Sequence, residues 1–160
     1  MSSEEIVVRL GIPLATFAWC LASGIVPVVN AELFLLGVAA LTPPSGLWLV
    51  VVLATAGQMV AKTFMYLAGA GVFRLPFGTK RKVDLEAVRA RVARWRSKDA
   101  LVFVSAAVGL PPFYVISILA GTLRFPYPRF IGFGMAGRFL RFALIVAVPS
   151  LGRWVVGGPP

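Results

Sequence analysis

The chain has 160 residues, 59% of them hydrophobic and only 14% charged, against roughly 45–50% and about 25% in an ordinary soluble domain. That surplus, with twelve Phe and four Trp, predicts an integral membrane protein rather than a disulfide scaffold, a disordered tail or a soluble enzyme. The formal charge of +10, with no His and a single Cys, excludes a His/Cys metal centre, an intrachain disulfide and His-based nucleophile triads; no cofactor is expected.

The N-terminal MSSEEIVVRL lacks the basic start of a cleaved signal, so it is expected to be retained. Four apolar stretches follow. The first runs from about Leu10 to Leu41 and is interrupted at Gly24 and Pro27; the second runs from about Leu47 to Val72 and carries one charge, Lys62. The third, about Ala100 to Leu123, is interrupted at Gly109, Pro111 and Pro112, and the fourth runs from about Phe130 to Val148. A spanning helix takes about 20 apolar residues, so stretches two and four fit one crossing each. Stretches one and three divide into halves too short to cross, which predicts re-entrant hairpins; a kinked spanning helix is the competing reading.

Between the second and third stretches lies a basic linker, residues 74–98, with nine Lys or Arg against Asp84 and Glu86. The positive-inside rule puts it in the cytoplasm, where Arg124 and Arg129 fall too. Within it, Leu85, Val88, Val92 and Trp95 recur at helical spacing behind Asp84 as N-cap, predicting an interfacial helix against anionic lipid or a solvated helix packed on the protein.

The halves of the chain are alike. GIVPVVNAELFLLG (Gly24 to Gly37) aligns with VGLPPFYVISILAG (Val108 to Gly121), pairing Pro27 with Pro111 and Gly37 with Gly121; each copy continues through a Pro-containing turn into a long helix with Gly followed by basic residues. If each copy is one hairpin plus one crossing, the second lies upside down relative to the first. The expected fold is therefore an all-α membrane domain over residues 1–160, an inverted repeat of re-entrant hairpin plus transmembrane helix. Repeat one covers about 10–72, the linker 73–99 and repeat two about 100–150.

Glu32 is the only acid within an apolar stretch, and an acid there calls for a partner or a purpose. It is a candidate proton carrier; the plainer alternative is an ion pair with Lys62. Arg138 and Arg141, three apart on one helical face near mid-bilayer, are suited to phosphate oxygens unless they snorkel to the headgroups. With Lys62 they make three intramembrane cations against one acid, a balance that favours an anion. Asn30, Tyr66 and Tyr114 are polar candidates for the same cavity, though a buried Tyr with a backbone partner is an ordinary core feature. Gly132, Gly134 and Gly137 spell a dinucleotide fingerprint without its strand or acid and are better read, like Gly57 and Ala61, as helix-packing faces.

The hairpin with Pro27 and Glu32, the segment from Gly57 through Lys62 and Tyr66 to Gly69, and the LPP hairpin with Ala120-Gly121 resemble the DedA family, also called the VTT or SNARE-associated family. The resemblance covers about residues 12 to 149 and implies a bacterial inner-membrane, multi-pass protein with two facing hairpins that moves lipids between leaflets, some members depending on the proton gradient. It implies that Glu32 is the family's hairpin acid and Tyr66 and Gly69 its Y-x-x-G element. The chain departs from the pattern where Lys62 replaces a second acid, where Ala70 replaces an arginine, and where Val108 and Tyr114 replace arginines flanking the second hairpin's proline.

The expected function is a non-enzymatic transporter or scramblase for anionic, phosphate-bearing lipid, with a proton-coupled small-molecule exporter or a non-transporting membrane-assembly protein as alternatives. Its expected partners are membrane lipids, anionic ones above all, with a second copy of the chain left open and no nucleic acid.

Overall fold

A computed structural model describes the backbone of residues 3–26, 30–72, 90, 92, 94 and 97–157, and the side chains of those between 11 and 149. Helices are the regular structure among the described residues: α1 (Ser3–Ile25), α2 (Ala31–Leu41), α3 (Pro44–Gly69), α4 (Lys98–Val108), α5 (Phe113–Thr122) and α6 (Tyr127–Gly157). The all-helical class read from the sequence is the one observed. Of the linker helix, Ala90 and Val92 are helical; Asp84, Leu85, Val88 and Trp95 lie outside the described residues, as does Pro27.

α1, at 23 residues, is longer than the half-helix expected from the sequence, although its described apolar part is only Gly11–Ile25; the other five helices form two groups by length. At 1.5 Å per residue α3 is about 39 Å long and α6 about 46 Å, enough for a hydrocarbon core of about 30 Å. The 10 or 11 residues of α2, α4 and α5 reach only about 15–17 Å and are too short to cross. The apolar window of α6, Tyr127–Pro149, is only 22% buried. Phe139, Leu140, Leu144 and Val148 face outward from it, which a soluble core helix would not tolerate but a lipid-facing one requires.

The chain forms two compact units, residues 1–61 with 138–160 and residues 62–137. The first takes α1, α2, most of α3 and the C-terminal part of α6; the second takes the end of α3, α4, α5 and the N-terminal part of α6. Each unit thus draws on both halves of the chain.

In the first unit α1 packs on α2, with the Trp19 and Phe34 rings stacked at 5.2 Å. Ala31, Leu35 and Ala39 recur every fourth residue on α2 and are buried with Val50, Val51 and Ala54 of α3 and Phe142 and Val146 of α6. Polar side chains in this core are satisfied locally. Thr16 donates to Ile12 O at 2.8 Å and Thr55 to Val51 O at 2.8 Å, while Gln58 Nε2 donates to Ser23 Oγ at 2.7 Å and Ser23 in turn to Cys20 O at 2.9 Å.

Gly24 corrects the sequence reading. It does not break the helix but lies in the last turn of α1, buried, where a Cβ would collide with that of Ala61. Gly57 serves the same close approach: a Cβ there would lie 2.5 Å from Phe17 O and 3.1 Å from Leu21 N. Gly37, by contrast, faces open space.

One substitution should therefore have opposite effects at two helical glycines. Gly57→Ala is expected to destabilise the protein by about 1–3 kcal/mol through overpacking. Gly37→Ala is expected to leave stability unchanged or raise it by up to about 1 kcal/mol, the helix-propensity gain. Thermal unfolding of the two purified variants against wild type checks both signs.

Candidate functional site

The charged site is built from the start of α2 and the middle of α6. Asn30 has extended backbone (φ −87°, ψ 105°), and its Oδ1 accepts from Glu32 N at 2.9 Å and Leu33 N at 3.2 Å. It is an N-cap, satisfying two of the N–H groups that a helix start leaves without partners. The cap holds Glu32 in the first turn, where the helix dipole favours a carboxylate.

Glu32 Oε1 accepts from Arg141 Nε at 2.9 Å and also from the Arg141 Nη2 group, joining residues 109 apart in sequence. Both donors converge on one carboxylate oxygen; the other receives none among the described residues. Arg138, one turn earlier on α6, has its guanidinium 5.9 Å from the centre of the Phe142 ring, a cation–π distance. The pair is half-buried, with 41% of the Glu32 side chain and 23% of the Arg141 side chain accessible, so a competing anion could reach it.

The sequence candidates thus divide. Glu32, Asn30, Arg138 and Arg141 belong to the first unit; Lys62, Tyr66 and Tyr114 belong to the second. Lys62 is buried on α3 with Nζ 3.8 Å from Met65 Sδ. The buried Tyr66 donates its hydroxyl to Phe125 O at 2.5 Å and stacks on Phe130 at 5.1 Å, which ties the end of α3 to the α5–α6 turn. Tyr114 is half-buried on α5. Gly109 ends α4 in the left-handed conformation (φ 86°), its N–H bonded to Ser105 O at 2.9 Å; Pro111 follows a cis peptide bond, and Pro112 precedes α5. Ser105 Oγ closes this break by donating to Pro111 O at 2.6 Å. The sequence reading missed Phe142 as the ring beneath Arg138, although the i, i+4 spacing signals it, and Asn30 as a cap, although Asn two residues before an acid at the head of an apolar run is a helix-start pattern.

A family model, the VTT domain, matches residues 29–151, which takes in α3, α6 as far as residue 151, and every residue of this site. The chain belongs to the VTT domain family. This is the DedA/SNARE-associated domain that the hairpin and Gly57–Gly69 motifs resemble. The VTT family is membrane-associated, and the two helices long and apolar enough to cross a bilayer agree with a membrane protein of that family. Searches of curated proteins and of solved structures return no match.

The Asn30 cap is open to a direct test. Asn30→Ala is expected to cost about 1 kcal/mol and to speed hydrogen exchange at the Glu32 and Leu33 amides, whereas Asn30→Asp should preserve both. Amide exchange read by mass spectrometry on the detergent-solubilised protein distinguishes them.

Proposed function

We propose that this VTT domain protein is a non-enzymatic transporter or scramblase that moves anionic, phosphate-bearing lipid between leaflets, with Glu32 as a proton-sensitive latch on the cation that meets the phosphate. The Glu32–Arg141 pair carries this reading. With the carboxylate ionised, Arg141 is held by a charge-assisted bond and a phosphate must displace Glu32 to reach it. With the carboxyl protonated the pair weakens, and the guanidinium becomes available to phosphate oxygens, for which its geometry is suited. Proton uptake and anion binding then favour one another, as linkage requires. Arg138 adds a second positive charge on the same helix face.

The topology proposed is an inverted repeat of re-entrant hairpins in the cell inner membrane, with linker 74–98 cytoplasmic. Three observations support it. The helices α2, α4 and α5 are too short to cross. The basic residues concentrate between residues 74 and 98. The two units also have corresponding parts: each contains one helix pair, the first part of the long helix that follows that pair, and the last part of the other long helix.

The test is leaflet exchange of headgroup-labelled phosphatidylglycerol in liposomes containing the purified protein, at two pH values. Wild type should exchange lipid faster at the lower pH. Arg141→Ala should lower exchange by roughly tenfold or more, the scale of a 1.4 kcal/mol loss, and Glu32→Gln should remove the pH dependence. Unchanged exchange in a folded Arg141→Ala protein would sink the phosphate-site reading. Absence of exchange in folded wild type would sink lipid movement altogether.

A further inference from the structure

The second unit contains a cavity of about 260 Å³ between the start of α4, the last turns of α5 and the α5–α6 turn. Its inner wall is apolar, with Leu101, Val102, Ile116 and Leu119 buried against it. Its other described lining includes three exposed cations, Lys98, Arg124 and Arg129, and no acid; Asp99, next to Lys98, is not part of the lining. None of the three cations makes an ion pair with a described residue. We propose that this cavity binds one anionic membrane lipid, its headgroup on the three cations and the adjoining part of an acyl chain against the apolar wall.

The backbone at Arg124 supports a ligand-directed role for that side chain. Helix α5 ends in a Schellman motif: Arg124 N donates to Gly121 O at 3.0 Å and Phe125 N to Ala120 O at 2.8 Å, with Arg124 in the left-handed region (φ 51°). Helix α3 ends in the same motif, with Gly71 N to Ala68 O at 3.1 Å and Val72 N to Leu67 O at 3.0 Å, and there the left-handed residue is glycine (φ 83°). The left-handed residue after α4 is again a glycine, Gly109. The left-handed conformation brings an L-residue's Cβ close to the following carbonyl oxygen, which glycine avoids. Arg124 is the exception, and it is the one of these positions that lines a cavity. The turn is also held from α3 by the Tyr66 hydroxyl on Phe125 O and by the Thr63–Tyr127 hydroxyl pair at 3.1 Å.

The lining selects the ligand class. A free phosphate would use the cations and leave the apolar wall wet, while a neutral lipid would leave three cations without a counter-charge among the described residues. The cavity lies just below the roughly 300 Å³ at which drug-sized pockets begin. It therefore suits the headgroup-proximal part of one chain rather than a whole lipid or a partner helix. Cations at the ends of apolar helices with Tyr127 beside them suit headgroup depth, where anionic lipid is concentrated by its own surface potential. The site rests on the membrane assignment alone and shares no residue with Glu32, Arg138 or Arg141.

The experiment uses the full chain in phosphatidylcholine nanodiscs containing a few per cent of a phosphatidylglycerol probe with a photoreactive group near the headgroup end of one chain. Adducts mapped by mass spectrometry should fall on residues 101–123. Arg124→Gly should reduce labelling at least fivefold without lowering the unfolding temperature, because it removes a cation while relieving the strained turn. Leu123→Trp, which fills the cavity and keeps every cation, should also abolish labelling. The proposal is overturned by equal labelling with a phosphatidylcholine probe, by full labelling in Arg124→Gly, or by full labelling in Leu123→Trp. It is equally overturned if millimolar inorganic phosphate suppresses labelling, which would assign the cations to soluble phosphate ligands.

Discussion

A helix that stops inside apolar surroundings leaves up to four N–H and four C=O groups without intrahelical partners, and hydrocarbon offers no water to take them. This chain interrupts its apolar stretches repeatedly, so the means by which each helix end is closed governs the rest of the structure. Asn30 closes the start of α2 with its side chain, Gly109 closes the end of α4 in the left-handed region, and Schellman motifs close α3 and α5. These end devices also fix where the charged groups stand. The Asn30 cap places Glu32 in the first turn of α2, and the α5 end places Arg124 on a cavity wall.

The breaks and the long helices were legible locally. Gly109, Pro111 and Pro112 have no place in a helix interior, and the structure ends α4 and begins α5 around them. The apolar stretches around Lys62 and Arg138 are long enough to cross a membrane, and they are α3 and α6. Gly24 shows the limit of such reading. A glycine beside a proline reads as a breaker, whereas its actual role is a contact with Ala61. Only the packing of α1 on α3, between residues 37 apart in the chain, reveals that role.

Charge pairing was less legible, for the same reason. Sequence leaves Glu32 as a proton carrier or, on the plainer reading, the partner of Lys62; the structure gives it Arg141 instead. Arg141 holds it because the C-terminal part of α6 packs into the same core as α2, through Phe142 and Val146 against Leu35 and Ala39. That choice is set by helix packing and leaves no mark in spacing or composition. Tyr66 is a related case: sequence leaves it a cavity residue or a buried Tyr with a backbone partner, and the structure gives its hydroxyl a backbone carbonyl in the α5–α6 turn.

The register that pairs Pro27 with Pro111 and Gly37 with Gly121 puts Ile116 where Glu32 stands. On that register the two segments differ in charge as well as in packing, since Gly37 faces open space while Gly121 lies against the Tyr66 backbone. In the first segment the acid is present and holds a cation, so under the proposed function an anion arriving there competes with an internal carboxylate. In the second segment the aligned residue, Ile116, is part of the apolar wall of a cavity whose three cations make no ion pair with a described residue. The two aligned segments thus place a carboxylate on a cation in one case and a hydrocarbon wall beside three cations in the other, so the same register carries two different charge environments.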